Sequence, residues 1–245
     1  MTDGTILTGD DLRAFTKCSR FYSFGGAPVQ YNPGHLLNKT AFELMTATAI
    51  RKPIKDYLAF ICKAIPKSVS ILGYKDKYLS GQIEKWQNES LRYLPAVFEI
   101  LSPEIFFPVT GPIPWRVVLD STPVETQAHG IYRTSRNQTL HMILFTPFHT
   151  AQDQLNDPVV NLLLHTSKEL IKDTPHRPQA QVHIFGQDHI GNLTYNSIES
   201  SSADDSYSTM LTSIVQGIKS GYNYPTLPCP HAGCPFKQQC FPRKY

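Results

Sequence analysis

Glu125-Thr-Gln-Ala-His-Gly-Ile-Tyr-Arg-Thr-Ser-Arg-Asn-Gln-Thr-Leu-His-Met-Ile-Leu-Phe145 is the stretch from which the architecture is read. Its two ends, Glu125–Tyr132 and Thr139–Phe145, are rich in β-branched and aromatic residues, which fit a pleated, half-buried surface. The polar run Arg133–Gln138 between them reads as a hairpin turn. Two earlier strands are expected at Glu104–Val109 and Trp115–Leu119, with Asp120 and Glu125 flanking a turn. Pro158–Lys172 then predicts a helix opened by Asn156 or Asp157, with proline in the first turn where its missing N–H costs nothing. Gln181–Phe185 and Asn192–Tyr195 complete the strands. A meander followed by strand–helix–strand implies one α/β or α+β domain, with a central mixed sheet flanked by helices.

Toward the N-terminus, Thr8 is positioned to cap a short helix with acidic residues in its first turn and Leu12 and Phe15 on one face, delivering Cys18 at its end. Lys39–Lys63 has a helical pattern interrupted at Pro53, and Tyr78–Tyr93 predicts another helix. Toward the C-terminus, Asp204–Ser220 predicts a helix stopped by Gly221. Residues 1–245 therefore form a single domain with a mainly helical part over 1–100, the central sheet and helix over 101–200, and a final helix with a cysteine-rich tail over 201–245.

The chain has 245 residues, 41% of them hydrophobic, enough to bury a core without disulfides. A charged fraction of 18% is too low for intrinsic disorder. Apolar runs such as Val159–Leu164 are far shorter than the roughly 20 residues that span a bilayer, and the first residues lack a signal pattern, so a soluble, cytoplasmic protein with no membrane partner is expected. The formal charge of +3 is unevenly spread: residues 51–92 hold nine basic and four acidic side chains, and residues 206–245 hold no acid at all. Such asymmetry suits a face that meets phosphate, as it also suits a solvated basic face.

Three of the five cysteines, Cys229, Cys234 and Cys240, crowd into the last 17 residues. Their segment is short and rich in proline, so the thiolates are able to wrap around one centre, and Cys18 supplies a fourth if the first helix packs beside the tail. Four thiolates suit an iron–sulfur cluster or a structural zinc. The absence of paired C-x2-C knuckles favours the cluster, while His231 is a competing ligand for zinc. Cys62, near Leu58 and Ile61, is expected in the core.

Leu7-Thr8-x-x-Asp11-Leu12, Phe15-x-x-Cys18-x-Arg20-Phe21-Tyr22 and the terminal Cys-Pro-Phe-Lys-Gln-Gln-Cys-Phe-Pro run resemble the iron–sulfur RecB-like nucleases of the PD-(D/E)XK superfamily, a group that includes CRISPR-associated exonucleases. The resemblance implies a restriction-endonuclease-like core and a [4Fe-4S] cluster on Cys18, Cys229, Cys234 and Cys240, packed against the N-terminal helix. It also implies where catalytic groups belong. Such nucleases hold a divalent metal with an acid after a glycine on one strand and an Asp/Glu-x-Lys on the next. Here those places fall on Tyr132, Leu144 and Thr146, the early metal-binding histidine falls near Arg51, and Val159–Leu164 offers neither the glutamine nor the tyrosine of the following helix. No catalytic residue is therefore assigned. Glu104, Asp120 and Glu125 are the displaced carboxylates on which an active nuclease would have to rely, and His129, His141 and His149 carry no metal motif.

A nuclease scaffold without metal ligands still binds DNA through cations and amides. The expected contacts are Lys17, Arg20, Lys237, Arg243 and Lys244 around the cysteines and Arg133 and Arg136 on the hairpin, with Phe21, Tyr22, Phe236, Phe241 and Tyr245 available to stack bases of a single strand or frayed end. The expected role is an accessory factor in replication, recombination or transcription, with a polymerase, helicase or recombination protein as partner. A structural subunit that docks on such a partner without touching DNA is the alternative from another class.

Overall fold

A computed structural model describes residues 6–25, 33–48, 57–74, 80–101, 106–110, 113–134, 139–147, 150–172, 179–188, 190–200 and 206–222. The chain opens with β1 (Leu7–Thr8) and α1 (Gly9–Lys17). Thr8 and Asp11 form the reciprocal cap expected at this boundary: the Thr8 hydroxyl accepts from the Asp11 amide at 3.2 Å, and the Asp11 carboxylate accepts from the Thr8 amide at 2.7 Å. Cys18 ends the helix, and α2 (Ser19–Ser23) follows directly.

Three longer helices come next, α3 (Pro33–Thr48), α4 (Tyr57–Ile71) and α5 (Ser80–Leu101). Pro53, where a break is expected within Lys39–Lys63, lies outside the described residues, while α5 runs eight residues beyond the expected Tyr93 and carries Pro95 inside. On α4, Ile61, Ala64, Ile65 and Ser68 form the buried stripe, which places Cys62 on the exposed side. The expectation of a core cysteine is thus corrected: its apolar neighbour Leu58 faces outward with it, 54% exposed.

The strands are β2 (Phe106–Thr110), β3 (Ile113–Leu119), β4 (Thr122–Ala128), β5 (Gly130–Thr134) and β6 (Leu140–Phe145). After α6 (Ala151–Leu155) and α7 (Pro158–Lys172) come β7 (Ala180–Gln187), β8 (Leu193–Glu199) and α8 (Ser206–Lys219). They build a mixed three-stranded sheet in the order β1-β4-β3 and a mixed five-stranded sheet in the order β2-β5-β6-β7-β8. Helix α7 is the crossover between the parallel neighbours β6 and β7. This is a mixed α/β architecture consistent with α+β.

One expected strand, Glu125–Tyr132, is two. The chain leaves the small sheet after Ala128, turns at His129 and enters the large sheet at Gly130. The corner needs a residue without a side chain, because a Cβ on Gly130 would meet Phe42 at 3.0 Å and the Tyr132 ring at 3.1 Å. The turn placed between Asp120 and Glu125 is also tighter than expected: only Asp120 and Ser121 form it, with φ of 46° and 59°, and Thr122 already pairs with Leu119.

Period-two alternation sends the large sheet's side chains to two separate cores. Tyr132, Ile143, Phe145 and Phe185 pack with α3, α4 and α5 on one face, and Ile131, Met142, Leu144, Val182 and Ile184 pack with α7 on the other. A third cluster joins Leu12 of α1, Val124 of the small sheet, Leu162 of α7 and Leu211 and Val215 of α8.

An ion pair ties the third cluster to the second. Asp157 at the start of α7, its side chain fully buried, receives Arg13 Nη2 at 2.6 Å and Nε at 2.9 Å, and also accepts from the Val159 amide at 3.0 Å. Desolvating two charges costs several kcal/mol, so the pair adds little net stability while whole but a great deal is lost when one partner is removed. Asp157→Ala is expected to lose about 3–5 kcal/mol in urea unfolding. The double substitution Arg13→Met with Asp157→Leu should recover a large part of that loss, and equal losses in the single and double variants would show the charges to be uncoupled.

Candidate functional site

The corner at His129 faces a cavity of about 230 Å³ at the junction of the two sheets. The start of α1 contributes Asp10 and Arg13, α3 contributes Lys39, and β4 contributes Glu125, Thr126 and Gln127. Pro114, Leu144 and Val159 are its apolar walls. Leu144, one of the positions where the resemblance led a carboxylate to be expected, lies on this lining.

His129 has a defined tautomer. Its Nδ1 accepts a hydrogen bond from the Phe145 amide at 2.8 Å, and burial, aided by the nearby charges of Lys39, His35 and Arg13, holds its pKa well below the ordinary histidine range. A neutral ring whose Nδ1 is an acceptor keeps its proton on Nε2. That Nε2 lies 4.0 Å from Glu43 Oε1, and Lys39 Nζ lies 3.8 Å from the same oxygen. Burial raises the Glu43 pKa, with the Lys39 charge opposing it in part. A metal-ligating histidine usually donates its second N–H and offers a bare nitrogen to the ion; His129 presents a protonated nitrogen instead.

The neighbouring positions are built into packing. Tyr132, 2% exposed, lies in the core between α3 and the sheet, with its ring 6.3 Å from Phe42. Thr146, fully buried, donates from Oγ1 to Asp157 at 3.3 Å. Arg51 and Glu104 lie outside the described residues. Of the displaced carboxylates, Asp120 sits in the exposed β3–β4 turn 3.4 Å from Lys219, and Glu125 is in the middle of β4 paired with Thr8. Glu125 lines the same cavity as His129, but no group of three metal-capable side chains occurs among the described residues.

His141 is not beside His129. It lies one strand over, with Nδ1 2.8 Å from Nε2 of His183, whose Nδ1 is 2.9 Å from the Tyr195 hydroxyl. Burial lowers the His141 pKa to about 4, and burial together with His141 lowers that of His183 to about 3. His149 lies outside the described residues. Neither this chain nor the Arg13–Asp157 pair was visible in the sequence, where the partners are 42 and 144 residues apart.

Cys18 is buried, 4% exposed, at the end of α1. Cys229, Cys234 and Cys240 lie outside the described residues, as do Lys237, Arg243 and Lys244, Arg136, and the side chains of Arg133 and Phe21. The last described residue, Tyr222, packs its ring 6.3 Å from Phe15, less than one turn before Cys18. Six residues lie between it and Cys229 in the sequence. Around Cys18, Lys17 is exposed, Arg20 stacks over Phe24 at 5.6 Å, and Tyr22 packs edge-on against Phe15 at 6.0 Å.

No helix among the described residues is long and apolar enough to cross a membrane. The sequence matches no family model, and none of the curated proteins is significantly similar to it.

Three of the buried histidines, His129, His141 and His183, make the fold sensitive to acid. Each is neutral when folded and regains a pKa near 6.5 when unfolded, so below about pH 6.5 the unfolded state binds protons that the native state does not. Stability is complete above that pH and falls as the pH drops toward 4 and then 3, by up to about 1.4 kcal/mol per unit for each histidine. Melting curves should show this decline, and His183→Gln should flatten it; an unchanged pH slope would place the acid sensitivity elsewhere.

Proposed function

We propose that this chain is a RecB-like, PD-(D/E)XK-type protein that retains the nuclease scaffold without its hydrolytic metal site and binds single-stranded or end-containing DNA. In this reading it acts as an accessory factor in replication, recombination or transcription, alongside a polymerase, helicase or recombination partner. The observation that carries the reading is the use made of the three expected catalytic positions: Tyr132 fills a core, Leu144 walls a cavity, and Thr146 bonds to Asp157. The adjacency of β5 and β6 with helix α7 after them supports it, since the resemblance implies acids on two successive strands and a further helix following them. The Nε2 proton of His129 supports the absence of a metal there.

Cys18, Cys229, Cys234 and Cys240 would hold a [4Fe-4S] cluster, or zinc as the alternative, and the group would fasten the tail to α1. A buried thiol at the end of α1 and the contact of Tyr222 with Phe15 fit that arrangement. Lys17 and Arg20 would then lie near Lys237, Arg243 and Lys244, forming one basic surface for phosphates, with Arg133 and Arg136 as a second.

Protein purified without oxygen is expected to be brown, with about four irons per chain. Cys234→Ala should lose the colour and lower the melting temperature; an unchanged spectrum and melting temperature would refute the shared site. Oligonucleotide binding should weaken with salt, with a slope near −0.7 per phosphate contact on a single strand. Lys237→Glu and Arg243→Glu should each flatten that slope, and no cleavage should accompany binding in magnesium or manganese. Metal-dependent cleavage abolished by Asp120→Ala or Glu104→Ala would replace this reading with an active nuclease using displaced carboxylates.

A further inference from the structure

We propose that the cavity at the junction of the two sheets is a pocket for one unpaired nucleobase, selective for bases that carry an exocyclic amino group. The proposal rests on the DNA-binding reading above and names what the DNA inserts there. Size is the first argument: about 230 Å³ falls below the roughly 300–1,000 Å³ of pockets that take drug-sized ligands, and suits a single flat ring system.

Charge decides against a phosphate. Asp10 and Glu125 oppose Lys39 and Arg13 across the lining, and Arg13 is already committed to Asp157 at 2.6 Å and Asp10 at 3.0 Å. A phosphate would gain little there and would meet two carboxylates, whereas a neutral base carries no such penalty.

The chemistry of the lining matches a base. Pro114, Leu144 and Val159 offer apolar surface for its faces, while Gln127 and Glu125, two apart on β4 and so on one face of the strand, offer hydrogen-bonding groups for its edge. Carboxylates accept from the amino group of cytosine, and glutamine pairs with the amino edge of adenine, so both favour these bases over thymine.

The test uses a fluorescent oligomer of abasic nucleotides, identical except for one central cytosine, one central thymine or no base. Register is free to slide along such a strand, so the single base is able to find its pocket. One cytosine is expected to tighten binding about 10-fold over the fully abasic strand, the effect of one stacked base, and thymine should add less. Gln127→Ala and Glu125→Gln, the second of which keeps the shape of the side chain, should each reduce the cytosine gain while leaving the melting temperature and the fully abasic affinity unchanged. A cytosine gain that is absent, or that persists undiminished in both variants, overturns the pocket and leaves DNA binding standing. Failure of an ordinary single strand to bind at low salt overturns both readings.

Discussion

The buried contact between Arg13 and Asp157 is the constraint around which the molecule is arranged. It joins the first helix to the start of the crossover helix, 144 residues later, and uses both carboxylate oxygens of Asp157. The same carboxylate caps α7 through the Val159 amide and receives the Thr146 hydroxyl, so the end of β6, the start of α7 and the middle of α1 are held by one buried group. Because an unpaired charge at this depth is so costly, α1 has little freedom to shift. Its far end then presents Cys18 beside the contact of Phe15 with Tyr222, and its near end forms one wall of the cavity.

The central sheet buries apolar side chains on both of its faces. Alternation along β5 and β6 sends Tyr132 and Ile143 into the core under α3 and α5, and Ile131 and Leu144 toward α7. Carboxylates at those places would require a metal to justify their burial. With aromatic and aliphatic groups there, the sheet gains apolar packing on both faces. His129 follows the same logic: it turns the chain between sheets, accepts the Phe145 amide, and remains neutral because burial disfavours its charge.

Much of the secondary structure was legible because its signals are local. The Thr8 cap, the proline at the first position of α7 and Gly221 after α8, with φ of 69°, act within a turn of the boundary they set. The strand split at His129 was not legible, since the composition of Glu125–Tyr132 continues through the corner and only close approach by Phe42 reveals the demand for glycine at 130. Cys62 was misplaced for a related reason: several apolar residues on α4 compete for one buried stripe, and the neighbouring helices decide which of them it includes.

The sequence by itself determined most of the order of strands and helices and the division into a helical first part and a sheet-bearing middle. These follow from side-chain periodicity, caps and residue identity, which require no knowledge of distant neighbours. Only the tertiary structure decided that Arg13 meets Asp157, that His141 bonds to His183 rather than joining His129, and that Glu125, Gln127 and Lys39 share one cavity. Those pairings depend on which faces of separate elements come together, and that is set by the joint burial of apolar surface across the whole chain.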